Sequence, residues 1–406
     1  MKEISKEIRE YIQSHCKKPY KEIVRMLRFS QMQEGVLNNI HNVITDANIK
    51  WYDEAKNTIF EIDNIPKGTL YHDIPENFKK IIDTTLKQEK TYEMTIASRK
   101  ITVTFYDDAN KSHSVKKWTE YLKKIYIWIS VISKFASSSC VKHLFIYIYL
   151  TKEKKQLPDD ISTLIGRKHA NTAFTTACTP NTEIHLYREE EWFKVFIHET
   201  FHSYGLDFST MDNNNFTQQI LEIFGIHSDV RLYESYTEIW AEIIHICFFV
   251  HFSMIKNHKL ENLDKYIQKI EEIMAIEVVF SMIQCAKILK RHNLTYEDIS
   301  SKNRLKILEK YKEETPVFSY YIVKSILLFS INDFIEWTMI HNRGTIQFHK
   351  TNHNVKMYIG FIEKHSTIPK YRELMKMVEN CVNIHTNNQS SSISILKTLR
   401  MTVHEE

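Results

Sequence analysis

The chain has 406 residues, is 43% hydrophobic and 26% charged, and carries 54 Lys and Arg against 50 Asp and Glu, a formal net charge of +4. These values are typical of a soluble globular protein with more than one domain, and they exclude wholesale disorder. The excess of positive charge is too small to indicate a nucleic-acid-binding protein, which also needs a basic face.

Residue usage narrows the fold class and the cellular location. Seven glycines and seven prolines are few for this length, which favours long helices over an all-β protein. The six cysteines are far apart and form no CxxC pair, so neither a disulfide scaffold nor a zinc knuckle is predicted. The charged first residues do not resemble a signal peptide, and no apolar run reaches the roughly 18 residues of a membrane span. We therefore expect a reducing, cytoplasmic location and no membrane span.

The first predicted region, residues 1–90, is mostly helical. Ile4, Ile8 and Ile12 recur at helical spacing, as do Leu37 and Ile40. No residues with an evident chemical role occur here, so helical packing or recognition is the expected role.

The second region, residues 91–257, has the pattern of a mixed sheet with a helix packed on it. Residues 93–96 and 100–106 alternate and are rich in β-branched side chains, which indicates a hairpin. A long amphipathic helix is expected at 115–135, and the apolar run 143–150 is typical of a central strand. A short strand at 182–187 then precedes another helix.

The remaining chain is helical over residues 258–384 and ends in a polar tail, 385–406. The fold class predicted for the whole is α+β and predominantly helical. Its centre is a small mixed sheet with a helix packed on it, which the two helical regions flank.

An HExxH motif begins at His198 and ends at His202. Residues four apart in a helix lie on one face, so the two imidazoles can bind one Zn²⁺. Glu199 can accept a proton from the attacking water, whose pKa zinc lowers to about 7. Because Glu199 is the only charged residue in 195–206, the helix is expected to be buried, where such a cluster without a metal is costly. The sequence therefore predicts a zinc site with His198 and His202 as ligands and Glu199 as the general base.

A catalytic zinc site needs a third protein ligand and one open position. One candidate closely follows the motif. The segment from His198 to Phe208 resembles the metzincin pattern HExxHxxGxxH, but Phe208 stands where the third histidine belongs and Asp207 lies one position early. Asp207 is therefore one alternative ligand.

A second candidate lies on a later helix, where the sequence resembles the gluzincin metallopeptidases. In that group the third ligand is a glutamate, followed by a small residue three positions later and an acid four positions later. Glu238, Ala241 and Glu242 fit this pattern. The resemblance implies Glu238 as the ligand and Glu242 as the carboxylate that accepts a ring N–H from a ligand histidine. Glu234 fits less well, because Thr237 is bulkier than alanine, and it remains an alternative ligand.

The resemblance covers residues 182–245 and implies further features of a cleft. Zincins place a short edge strand before the active-site helix, antiparallel to the bound peptide, and residues 182–187 are in that position. Residues 169–174 lie just upstream and are candidates for lining the same cleft. Zincins also often use a tyrosine or histidine to stabilise the oxyanion, and Tyr236 and Tyr320 are candidates.

The sequence thus predicts a zinc-dependent peptidase that acts on a peptide or protein substrate, with no nucleic-acid partner. An alternative from another class is a catalytically silent helical interaction protein that keeps a zincin core as a scaffold. The intact Glu199 weighs against this alternative, because a scaffold needs no general base. A zinc hydrolase that acts on a different bond is a third possibility.

Overall fold

The computed structural model describes residues 3–108, 115–256, 259–260, 262–301, 304–387 and 394–405. Its helices are α1 (Glu3–His15), α2 (Lys17–Met26), α3 (Gln31–Asp53), α4 (Glu76–Thr85), α5 (Val115–Ile132), α6 (Arg167–Ala170), α7 (Trp192–Ser203), α8 (Asn214–Phe224), α9 (Leu232–Met254), α10 (Leu263–Arg291), α11 (Tyr296–Ser300), α12 (Arg304–Lys310), α13 (Lys324–Phe329), α14 (Ile331–His341), α15 (Asn352–Ser366), α16 (Pro369–Asn387) and α17 (Ser394–Lys397). Its strands are β1 (Phe60–Ile62), β2 (Leu86–Ile96), β3 (Arg99–Asp108), β4 (His143–Tyr149), β5 (Ala173–Thr175), β6 (Asn181–Leu186), β7 (Ile255–Lys256) and β8 (Lys259–Leu260). A π-helical segment, Phe318–Val323, leads into α13.

One six-stranded mixed sheet lies at the centre, in the order β1-β2-β3-β4-β6-β5. β2 and β3 form the predicted antiparallel hairpin, whereas β4 runs parallel to both β3 and β6. The apolar β4 is therefore a central strand, as its sequence predicts. With 61% of the residues in helices, the predicted α+β, predominantly helical class is confirmed.

The edge of the sheet differs from the prediction. The strand predicted at 182–187 corresponds to β6, which lies between β4 and β5 and is not an edge strand. The edge belongs to β5, whose three residues are too few to show an alternating pattern in the sequence. β5 shares Ala173 and Phe174 with the stretch 169–174. The end of that stretch therefore lies at the sheet edge, where residues 182–187 were expected.

Helices cover both faces of the sheet. On one face, α5 and α7 pack against apolar side chains of β3, β4 and β6 in a continuous cluster that extends from Ile8 to Val403. On the other face, Phe78 and Ile82 of α4 meet Tyr149 and Tyr187. The four predicted regions therefore share one hydrophobic core.

The end of the described chain is a buried segment. Residues 385–406 are predicted to be a polar tail, yet Leu399, Arg400 and Val403 have no exposed surface. Polar groups of this segment have buried partners: Glu277 accepts hydrogen bonds from the backbone N–H groups of Val403 and His404, at 2.9–3.1 Å. The polarity of this segment thus reflects internal hydrogen bonds and not exposure to solvent.

Cys140 and Cys178 form a disulfide, which the sequence analysis did not predict. They are 38 residues apart, and each lies three residues before a strand. Those strands, β4 and β6, are parallel neighbours in which His143 pairs with Asn181. The strand register therefore brings together two cysteines that the sequence alone does not connect.

Two features bear on the predicted location. Within the described residues, no single helix is long and apolar enough to cross a membrane, and only the pair Phe318–Phe329 and Ile331–His341, bent by 93°, meets the criteria of length and composition. The expectation of a reducing compartment depended in part on the absence of a predicted disulfide, and the Cys140–Cys178 bond removes that part of its support.

Replacing Cys178 with serine should lower the free energy of unfolding by about 2–4 kcal/mol, because the bond restricts the unfolded chain. Urea unfolding without reductant, followed by tryptophan fluorescence, measures the change. Cys381→Ser is the control, since Cys381 is free and half-buried. Excess dithiothreitol should make wild type and Cys178→Ser equally stable; equal stability in oxidising buffer would contradict the bond.

Candidate metal centre

Helix α7 carries the HExxH motif, and all of its residues are buried. The helix begins directly after Glu191, which has a left-handed backbone conformation with φ of 59°. The Glu191 carboxylate is fixed by an ion pair with Lys155 at 2.7 Å and by the backbone N–H groups of Met401 and Thr402, both at 2.7 Å. Because this helix has no solvent-facing side, each polar side chain on it needs a partner or a cavity.

Three side-chain atoms converge where α7 packs against α9. The Nε2 atoms of His198 and His202 are 3.1 Å apart, and Glu234 Oε2 lies 3.0 Å from the first and 3.3 Å from the second. Ligands bound to one tetrahedral Zn²⁺ at 2.0–2.1 Å are separated by roughly 3.3 Å. Two imidazoles and one carboxylate are also a ligand set that zinc accepts, so His198, His202 and Glu234 could hold a metal ion.

Glu238, the glutamate that the sequence favoured as the third ligand, lies on the other side of His198. Its Oε2 is 3.0 Å from His198 Nδ1, and its Oε1 accepts hydrogen bonds from Lys194 and Lys324. The order of preference between Glu238 and Glu234 is therefore reversed. The two lie one turn apart on the same face of α9, and the crossing point of the helices selects the earlier turn. Glu238 instead orients His198.

Asp207 and Glu242 also differ from their predicted roles. Asp207 Oδ2 is hydrogen-bonded to His202 Nδ1, so Asp207 orients this histidine and does not join the ligand atoms. Glu242 contacts neither histidine; its Oε2 accepts a hydrogen bond from Lys324 at 2.8 Å. The predicted role of Glu242, accepting a ring N–H, thus falls to Glu238 and Asp207.

Buried charges compensate one another around the histidines. Burial opposes ionisation of Glu238, but Lys194 and Lys324 hold its pKa well below the usual range. Burial likewise opposes a charged His198, yet its hydrogen bonds to Glu234 and Glu238 raise its pKa. The pKa of Glu242 rises to about 7, chiefly because it is buried. The buried charges of the centre are therefore stabilised by one another and not by solvent.

Glu199 faces a cavity of about 490 Å³, which His198, His202 and Glu234 also line. The side chain is only 7% exposed, and its carboxylate has no hydrogen-bond partner among the described residues. Burial raises its pKa, and charge on the two histidines partly offsets this effect. A carboxylate with a raised pKa that is free to bond a water molecule is suited to proton transfer.

The two predicted oxyanion-stabilising tyrosines lie in different environments. The Tyr236 hydroxyl donates to the Ile346 carbonyl at 2.8 Å and accepts from Asn342, so Tyr236 belongs to the core and does not reach the cavity. Tyr320 lines the cavity, and its ring centroid is 6.2 Å from that of His198. It lies on the π-helical segment, a geometry that recurs at functional sites.

The sequence analysis missed Lys194 and Lys324. Lys194 lies one turn before His198 on α7, so its spacing from the motif could have identified it. Lys324 is distant from the motif in sequence, and no local pattern marks it. Asn171 and the β5 residues Ala173 and Phe174 do line the cavity, in agreement with the expectation for 169–174.

Comparison with known proteins gives no match: no family model, no curated protein and no solved structure is significantly similar to this chain. The likeness to gluzincins therefore depends on the motif residues alone.

Glu234→Gln should abolish stoichiometric zinc binding, because it removes one of three ligand atoms. Glu238→Gln should weaken binding only, by roughly 10–100-fold, because it alters the partner of a ligand. Competition with a chromophoric chelator measures both affinities, and the two isosteric changes on one helix control for each other. The opposite order of effects would restore Glu238 as the ligand.

Lys324→Met should lower the free energy of unfolding by about 3–5 kcal/mol, because it leaves the buried Glu242 without its cation and removes one of the two lysines that pair with Glu238. Guanidinium unfolding measures the loss. Lys370→Met is the matched control: Lys370 also contacts two glutamates, Glu22 and Glu373, both at 3.2 Å, but at the surface. That exposed variant should barely change stability; equal effects would contradict the role of Lys324.

Proposed function

We propose that this protein is a zinc-dependent peptidase with a zincin-like core of the gluzincin type. The observation that carries the proposal is the convergence of two imidazoles and one carboxylate beside the free Glu199, at the wall of an accessible cavity. His198, His202 and Glu234 would hold the cation, and bound Zn²⁺ supplies Lewis acidity and an acidified water.

Two side chains of the cavity wall have roles in the proposed reaction. Glu199 accepts the proton of the attacking water and later returns it to the leaving amine, as expected of a carboxylate whose pKa is raised by burial. The Tyr320 hydroxyl donates a hydrogen bond to the carbonyl oxygen as negative charge develops on it. Asp207 and Glu238 keep the two imidazoles in the orientation that directs Nε2 toward the cation.

A peptide is the substrate class that the cavity supports best. Ala173, Phe174 and Thr175 of β5 line it, and within the described part of the chain β5 pairs with β6 on one edge only. Its other edge can therefore offer backbone N–H and C=O groups to an extended chain, which is how peptides add to sheets. This support is independent of the metal ligands.

The scaffold alternative remains distinct from the proposal. A protein that only binds partners has no use for a buried carboxylate without a hydrogen-bond partner, since such a group costs stability. Glu199 has this property among the described residues, which favours the enzyme.

Glu199→Gln should lower peptide hydrolysis by roughly 10²–10⁴-fold, the usual contribution of a general base, with zinc content unchanged. Mass spectrometry of a mixed peptide library incubated with zinc-loaded protein measures the rate. Glu309→Gln, an exposed change on α12, is the control and should retain full activity. Hydrolysis that persists in Glu199→Gln would contradict the mechanism, and no hydrolysis by zinc-loaded wild type would favour the scaffold.

A further inference from the structure

Two segments of the cavity wall are joined by hydrogen bonds close to the start of β5. The Glu314 N–H donates to the Ile165 carbonyl at 3.2 Å, and the Thr315 hydroxyl donates to Asn171 Oδ1 at 2.8 Å. These bonds join residues 165–171 to residues 313–316, and both segments contribute to the cavity lining. The joined segments therefore form the part of the cavity wall that lies beside Asn171 and the start of β5.

Arg167 is a cation at this wall that has no ion-pair partner. It lines the cavity, and its guanidinium carbon lies 5.5 Å from the centroid of the Phe174 ring. Among the described residues, no carboxylate lies within ion-pair distance of it. Arg231, the other arginine of the cavity, is instead paired with Asp229 at 2.6 Å.

The acids nearest to this wall do not neutralise Arg167. Glu313 accepts hydrogen bonds from the Ser228 hydroxyl at 2.8 Å, and from the Tyr311 hydroxyl and the Phe318 N–H at 2.7 Å each. Glu314 is exposed and makes no ion pair with Arg167. The charge of Arg167 is therefore available to a ligand.

We propose that Arg167 binds a carboxylate of the substrate, the C-terminal carboxylate of a peptide. The inference rests on the proposed peptidase function and assigns it a substrate class. A guanidinium matches a carboxylate with two parallel hydrogen bonds, whereas it repels the ammonium of an N-terminus. The cation–π contact with Phe174 favours a position of the guanidinium at the cavity wall. The enzyme would thus remove a short C-terminal segment.

The first measurement is binding, which needs no turnover. Zinc-loaded Glu199→Gln protein is titrated with N-terminally fluorescein-labelled mixed-sequence peptides that end in a free carboxylate or in an amide. Fluorescence anisotropy should show the free acids bound roughly tenfold or more tightly, as expected for a hydrogen-bonded charge pair. Adding Arg167→Gln should remove this preference. Lys168→Gln, which removes the adjacent exposed charge outside the cavity lining, should retain it.

The second measurement is cleavage of the same peptides by the zinc-loaded protein, with products located by mass spectrometry. Cuts close to free C-termini, reduced roughly tenfold by Arg167→Gln, support the proposal. A preference for an internal Asp or Glu that Arg167→Gln abolishes keeps Arg167 as the carboxylate-binding residue and moves the source to a side chain.

The two proposals fail in different ways. If acids and amides bind and are cut alike, the role of Arg167 is overturned while the peptidase stands. If no peptide is cut but free acids still bind more tightly through Arg167, the peptidase is overturned while the carboxylate site stands.

Discussion

The structure depends on placing four carboxylates around two histidines inside a hydrophobic core. These carboxylates are Glu199, Asp207, Glu234 and Glu238, all less than 10% exposed. Buried charges are costly unless they are paired and hydrogen-bonded. Lys194 and Lys324 pair with Glu238, and the imidazoles of His198 and His202 meet Asp207 and Glu234. Among the described residues, Glu199 is the one of these four carboxylates that has no hydrogen-bond partner.

This constraint explains why distant parts of the chain pack as one body. Lys324, on a helix of the predicted C-terminal region, bridges Glu238 and Glu242 and donates to the Met401 carbonyl. The buried segment around Met401 is in turn hydrogen-bonded to Glu191, which directly precedes α7. Lys324 and the segment around Met401 therefore belong to the immediate environment of the site.

The sequence could predict what local pattern determines. The apolar flanks of HExxH identify a buried helix with His198 and His202 on one face, and β4 has the composition of a central strand. The choice between Glu234 and Glu238 depends on where two helices cross, which spacing on one helix does not determine. The disulfide could not be predicted for a similar reason, since only the pairing of β4 with β6 brings Cys140 close to Cys178. β5 has too few residues to show a strand pattern in the sequence, so the sequence predicts its neighbour β6 as the edge strand.

In the proposed enzyme, reaction chemistry and substrate choice would depend on different parts of the site. The proposed ligands and general base lie on α7 and α9, which are almost completely buried and therefore hold the reacting groups rigidly. Arg167 and Glu314 are exposed residues of the cavity lining, and hydrogen bonds join the segments that carry them. Substitutions in these segments can change which chains fit without disturbing the buried charges that orient the histidines. Surface segments carried by a rigid scaffold thus allow specificity to change while the buried centre stays the same.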